Sequence, residues 1–360
     1  MSVYYITIFA VFILAGLAQA LDRPRPMAQN PLQICHTQTA GFFFFWVIFI
    51  LVFVAGFRYR VGTDYGGYYL YYRKYAQSFW KALIGFEEPG YPLISKVAIW
   101  IHDDGATAIF LASLVMIWPA LRVIYRHSEK LVLPVLLYIF LGCWHGGFNG
   151  VRQYLAATML FCGYEALEGR NLRRFLLFVF LAFLFHRSAI VMAALYFAVH
   201  QKISTRNLIL LLFGSIIVFL AYDRVLTIAG WITENEYTLD EEYTSQRVNI
   251  LRVLVGCAPA AVFLWLYWKK PKTPQNTFCL NLLIIHAAMR IATMSSALLY
   301  RIGIYTTLFQ TIAIPELLKG LKPATRRVLV ACMVPLFAFF WWYEVSRSSA
   351  LNHFRWIWKR

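Results

Sequence analysis

Apolar stretches of membrane-spanning length recur through this chain, and they constrain its fold more than any other feature. A span needs about 20 largely apolar residues to cover about 30 Å of hydrocarbon. Segments that approach this requirement cover residues 3–21, 41–57, 105–124, 131–147, 154–167, 175–185, 189–199, 208–222, 250–268, 278–298, 302–318 and 328–343. The chain is 60% hydrophobic and only 14% charged, against about 25% charged in soluble domains. The expectation is an all-α polytopic membrane protein with about twelve transmembrane helices. Residues 1–360 then form a single integral membrane domain, because no span-free segment is long enough for a separate soluble one. Disorder, a disulfide scaffold and a cytosolic enzyme are excluded.

Two segments need comment. Those flanking His186 are short for two full crossings, which predicts either one long bent helix or a broken one. The first segment ends in Ala18-Gln19-Ala20, which resembles a signal-peptidase site, but Met1 to Tyr5 supplies no positively charged leader, so it reads as a span.

Loop charges set the orientation. The short connections 122–130, 168–174, 200–206, 269–275 and 319–327 are dense in Lys and Arg and fall on one side, which the positive-inside tendency makes cytoplasmic. The outer side receives segment 58–104, the turn at 149–152, the acidic loop 223–247, the C-terminal tail and twelve of the 17 acidic residues. Positive-inside loops and lipid headgroups account for much of the +17 net charge, so nucleic acid is not expected as a partner. The six cysteines form no CxxC pair and read as small, buried, unpaired residues.

Ionisable groups at membrane depth cost roughly 2.5–3.5 kcal/mol each. Arg58, Arg60, Asp64, Arg152, His186, Arg187, Arg290 and Arg301 all fall at or near outer span ends. Snorkelling explains any one arginine. Several converging on one face point to a ligand with concentrated negative charge, such as a lipid-linked phosphate or diphosphate. If 278–318 were one helix, Arg290 and Arg301 would lie within about 20° of each other on one stripe, with Tyr305 following.

Segment 58–104 leaves the second span through Arg58-Tyr59-Arg60-Val61-Gly62-Thr63-Asp64-Tyr65. Its tyrosines offer apolar faces and hydroxyls suited to sugars, and an interfacial aromatic belt accounts for them equally well. Glu87-Glu88-Pro89-Gly90-Tyr91 opens an apolar stretch too short to span. It reads as an interfacial helix with a carboxylate capping its start. Asn149-Gly150-Val151-Arg152-Gln153 stands where one span turns into the next, and an arginine at a helix N-terminus completes an anion site. Phe185-His186-Arg187-Ser188-Ala189 places an imidazole in an apolar hairpin. Asp240-Glu241-Glu242 reads as a solvated acidic loop. A Walker loop, GxGxxG, GxSxG and HExxH are all missing, which removes support for nucleotide-driven transport and zinc hydrolysis.

Arg60-x-Gly62-Thr63-Asp64-Tyr65, Glu88-Pro89-Gly90-Tyr91, Asn149-Gly150-x-Arg152-Gln153-x-Leu155-Ala156, Phe185-His186-x-Ser188-Ala189 and Arg301-Ile302-x-x-Tyr305 stand in this order. Together, from about residue 57 to 318, they resemble the EpsG branch of Wzy-like polysaccharide polymerases. The resemblance implies a GT-C-like membrane glycosyltransferase of the bacterial inner membrane. Its members join undecaprenyl-diphosphate-linked repeats into O-antigen, capsule or exopolysaccharide on the outer face. No metal or other cofactor is implied. The implied partners are the lipid-linked donor and acceptor, membrane lipids and a chain-length regulator. An O-antigen ligase, a lipid-linked-oligosaccharide flippase and a membrane O-acyltransferase are the alternatives.

With such a donor, fixed cations must stabilise the departing diphosphate, and a base must take the acceptor's proton. Arg60, Arg152, Arg290 and Arg301 are assigned to the diphosphate, with Arg58 as a weaker member. Tyr65, Gln153 and Tyr305 join them in substrate binding. Asp64, Glu88 and His186 are candidates for the base or for acceptor positioning. Asp64 is preferred, since flanking cations would keep it ionised and its pKa low. A purely sugar-binding Asp64 with His186 as base remains the alternative.

Overall fold

A computed structural model describes residues 1–28, 30–221, 248–270 and 273–360. The acidic loop 223–247, with Asp240, Glu241 and Glu242, lies outside the described residues. Among those described, five helices are long and apolar enough to cross a membrane: Ser2–Ala20, Gln38–Gly56, Gly105–His127, Ile250–Tyr267 and Pro323–Arg347. The protein is an all-α membrane protein; among the described residues its strands are confined to the small hairpin of Arg25–Met27 and Asn30–Cys35.

Side-chain caps start many of these helices. Thr37 accepts from Ala40 N, Asp104 from Ala106 N and Thr273 from Asn276 N, each such cap contributing about 1 kcal/mol. Helices Pro274–Ala292 and Ile304–Lys319 are sheathed by the others. The second packs on Val132–Phe140, Val151–Cys162 and Pro274–Ala292. It buries Thr306, Thr307, Gln310 and Thr311 inside the protein, a polar content that suits a core helix and not a lipid-facing one.

Several expected spans are broken. Segment 131–147 forms helix Val132–Phe140, then a turn through Gly142 (φ +85°) and the 3-10 helix His145–Phe148. Segment 189–199 is a 3-10 helix, Arg187–Ala194, followed by the single turn Leu195–Ala198. The hairpin around His186 is therefore a broken element. The continuous helix across Arg290 and Arg301 does not form either. Pro274–Ala292 stops at Thr293, and Ala297–Tyr300 and Arg301–Gly303 are short pieces before Ile304–Lys319. At the break Thr293 Oγ1 donates to Met289 O at 2.7 Å beside its own backbone N–H, and Ser296 Oγ accepts from Leu299 N, local side-chain bonds of the kind found where helices end.

Different contacts close the two ends of the bundle. At one end Lys319 pairs with Glu129 at 3.3 Å, and Asn281 Nδ2 donates to Val199 O and Gln201 O at 2.8 and 2.7 Å. At the other end the C-terminal tail threads back along segment 58–104. Tyr59 N donates to Arg355 O, Ile357 N to Phe57 O and Gly62 N to Ala350 O, at 2.8–2.9 Å. Arg360 closes the tail onto Asp104 at 2.6 Å.

Helix Gly90–Ile101 buries Tyr91, Ile94, Ser95 and Ala98 and leaves Leu93, Val97, Trp100 and Ile101 exposed. Its exposed face carries these apolar side chains together with Lys96.

Candidate active site

Glu88 organises one side of the tail-bearing end. It does not cap the helix that follows, as its position suggested, because it adopts φ +55° and turns its carboxylate toward two other loops. Its Oε2 accepts from Arg152 Nη1 at 2.5 Å and its Oε1 from the Arg187 backbone N–H at 2.8 Å. His186 Nδ1 lies 3.0 Å from the same Oε1, off the axis of a hydrogen bond. Arg152 Nε also donates to Tyr68 Oη at 3.2 Å. Burial alone would raise the Glu88 pKa, but His186, Arg152 and the Arg187 N–H together hold it below the usual carboxylate range. Gly90 allows the two loops to meet, donating its N–H to Leu184 O at 2.8 Å. A Cβ there would sit 2.5 Å from the Phe185 ring.

Asp64 stands beside this network on the loop that leaves helix Gln38–Gly56. Burial pushes its carboxyl above the usual range, more than Thr63, Arg301 and Arg152 pull it down. The direction is the reverse of the sequence expectation, because desolvation outweighs the nearby guanidinium groups. Asn149 Oδ1 holds the loop by accepting from Thr63 N at 2.9 Å. Gly62 makes the approach possible with φ +106° and an added Cβ only 2.0 Å from Phe148 O. Gly62→Ala should cost about 2 kcal/mol or more of stability through backbone strain and this clash, read as a lower melting temperature of the detergent-solubilised protein.

A cavity of about 390 Å³ opens next to these loops. Asn149 and Gln153 line it from the Glu88 side, and Arg290, Arg301, Arg252 and Glu344 from the other. Among the described residues the Gln153 Oε1 is buried there without a hydrogen-bond partner. Although the helix between them is broken, Arg290 and Arg301 reach the same space. Arg301 is solvent-exposed, whereas Arg290 is clamped. Its Nη1 donates to Tyr300 O and its Nη2 to Thr307 Oγ1, both at 3.1 Å, and its Nε donates to His286 Nε2 at 3.2 Å. The Tyr300 ring lies under its guanidinium at 4.2 Å.

Because a guanidinium only donates, His286 Nε2 must accept. The proton then sits on Nδ1, which donates to Thr306 Oγ1 at 2.8 Å. His286 is a positioning residue for Arg290. His286→Ala should lower kcat about tenfold with a smaller change in KM, and His286→Gln, which can accept and donate in the same way, should restore most of it. Steady-state kinetics of the two variants side by side check this.

The remaining predicted residues are placed as follows. Arg58 is 2% exposed and donates to Ala55 O, Val61 O and Ser113 Oγ, with the Phe148 ring 4.4 Å away. It braces the loop from inside and does not line the cavity. Arg60 is exposed, with φ +52° and its guanidinium 5.4 Å from the Tyr59 ring. Tyr65 is buried, stacked on Tyr69 at 5.5 Å, so its ring presents no open sugar platform. Tyr305 is buried on the central helix and shares a 2.8 Å hydrogen bond with Ser188, tying the His186 loop to the core. Sequence reasoning missed Arg252, His286 and Glu344. Arg252 Nη2 pairs with Glu344 Oε2 at 2.5 Å on the cavity wall.

No curated protein and no solved structure matches this chain. The sequence model of the EpsG family matches residues 41–357, a range that takes in segment 58–104, the Glu88 network, the cavity and most of the tail. The chain belongs to the EpsG family, a family of Wzy-type polysaccharide polymerase-like membrane proteins.

Proposed function

We propose that this protein is a polysaccharide polymerase that transfers a glycan from a lipid diphosphate to the end of another lipid-linked glycan. It would act on the outer face of the bacterial inner membrane, with undecaprenyl diphosphate as the lipid and O-antigen, capsule or exopolysaccharide as the product. The observation that carries the reading is the juxtaposition of an arginine-walled cavity with a half-buried carboxyl, Asp64, that feels both Arg301 and Arg152.

The chemistry follows from the charges. As the bond between the anomeric carbon and the diphosphate oxygen breaks, negative charge grows on the leaving group. Arg290, pre-aimed by its four contacts, and Arg301 stabilise it without having to reorganise. The acceptor hydroxyl attacks that carbon and passes its proton to Asp64, whose raised pKa makes it a stronger base than a low-pKa carboxylate would be. Glu88 is saturated by donors and stays ionised, which suits a residue that orients Arg152 and the His186 loop better than one that accepts a proton. Arg58 holds the loop and does not touch the substrate. Helix Gly90–Ile101 would lie in the membrane interface with its exposed apolar face in lipid. No metal takes part in this scheme.

The test uses purified protein in nanodiscs with lipid-linked repeat units and no other enzyme. A product ladder spaced by whole repeats, insensitive to chelator, is the expected result. A single transfer onto added lipid A core, with no ladder, would instead make the protein a ligase. Loss of the ladder on adding chelator would overturn the metal-free mechanism.

A further inference from the structure

A second cavity, of about 350 Å³, lies between helices Ile250–Tyr267 and Pro323–Arg347. Every side chain lining it is apolar or sulfur-bearing: Leu251, Ala258 and Val262 stand on one wall, Leu329, Cys332 and Leu336 on the other. The two helices pack on different neighbours, the first on Pro274–Ala292 and the second on Val132–Phe140, and have few close contacts with each other. Each carries an internal proline, Pro259 and Pro335, the residue that bends helices and disfavours close parallel packing. The gap they leave opens sideways, for Leu336, Phe339 and Val262 on its rim are all exposed.

Val255 and Phe340 line both this groove and the arginine-walled cavity. From Leu251 to Phe263 the groove runs about 18 Å along the helix. We infer that it holds the first isoprene units of the substrate's polyprenyl tail while the diphosphate lies in the adjoining cavity. The assignment rests on the reading of a lipid-diphosphate donor. A ligand with a doubly charged head and a hydrocarbon tail needs a polar chamber continuous with an apolar slot that is open to the bilayer, and these two cavities share walls.

The test photolabels the full-length protein in nanodiscs with sugar-free undecaprenyl diphosphate that carries a diazirine in its early isoprene units. Adducts are mapped by peptide mass spectrometry. Adducts concentrated in 251–263 and 329–340, suppressed by unlabelled undecaprenyl diphosphate, are expected. Ala258→Trp and, independently, Leu336→Trp should each reduce them about tenfold, a loss of about 1.4 kcal/mol in binding, while the protein still elutes as a single species. Labelling spread evenly over lipid-facing helices such as Ser2–Ala20, with no competition, would mean that bulk lipid fills the groove and would overturn the inference. So would efficient Cys332-to-Cys332 cross-linking between copies by a short bismaleimide. Because the probe carries no sugar, groove labelling without a polymer ladder would retain the slot and discard the polymerase. A ladder without groove labelling would do the reverse.

Discussion

Asp64→Asn should reduce polymerisation by about 10²–10⁴-fold, the contribution expected of a positioned general base. The amide keeps the shape of the carboxyl and can still hydrogen-bond to Thr63, whose hydroxyl now donates to Oδ1 at 3.1 Å. It cannot take a proton. Burial raises the Asp64 pKa, so the acid limb of the wild-type rate profile should fall at a pH above the ordinary aspartate range, and that limb should vanish in the variant. Stability should move the other way. With its folded pKa above its unfolded one, Asp64 binds more protons folded than unfolded, so its ionisation lowers stability as pH rises through that window. At neutral pH the Asn variant should be at least as stable as wild type. An inactive protein with an unchanged or higher melting temperature separates a base from a structural carboxyl. Retained activity would transfer the role to His186.

Arg301→Ala should cost about 10²–10³-fold in kcat/KM, the usual effect of deleting one preorganised electrostatic donor. Its side chain is exposed at the cavity wall, so the fold should tolerate its removal. Arg290→Ala should be as damaging to the rate and also destabilising, because Tyr300 O, Thr307 and His286 lose a shared donor. Lys should not rescue Arg301, since an ammonium lacks the planar fork that grips two phosphate oxygens together. The contrast between the two arginines is read by pairing kinetics with thermal unfolding. Equal rates in wild type and Arg301→Ala would remove the diphosphate from this cavity.

The sequence reading reached the membrane architecture closely where lipid alone decides it. Segments 3–21 and 41–57 became Ser2–Ala20 and Gln38–Gly56, because an apolar run facing hydrocarbon can only close its backbone bonds as a helix. It was less close where helices meet other helices. The breaks after Phe140, at His186 and between Ala292 and Ile304 follow polar contacts that the apolar pattern does not show, from Arg290 with Tyr300 and Thr307 to Ser188 with Tyr305, 117 residues away. Glu88, Arg152 and His186 were visible as three separate motifs, yet nothing in their spacing showed that they meet. Arg58 looked like Arg60 in sequence. Only the fold turns one inward onto Ser113 and leaves the other exposed. His286 carried a signal that could have been used, an imidazole one turn from Arg290 inside an apolar run, where ionisable groups are rare without a function.

The most direct test of the central claim counts leaving groups. Purified protein in nanodiscs would receive lipid-linked repeats, and the undecaprenyl diphosphate released would be measured against the glycosidic bonds formed. If the arginine-walled cavity expels a diphosphate while Asp64 accepts the hydroxyl proton, one undecaprenyl diphosphate should appear for each new bond, and Asp64→Asn should stop both together. Donor that disappears from one leaflet with no lipid diphosphate released and no bond formed would contradict the account and make the protein a transporter.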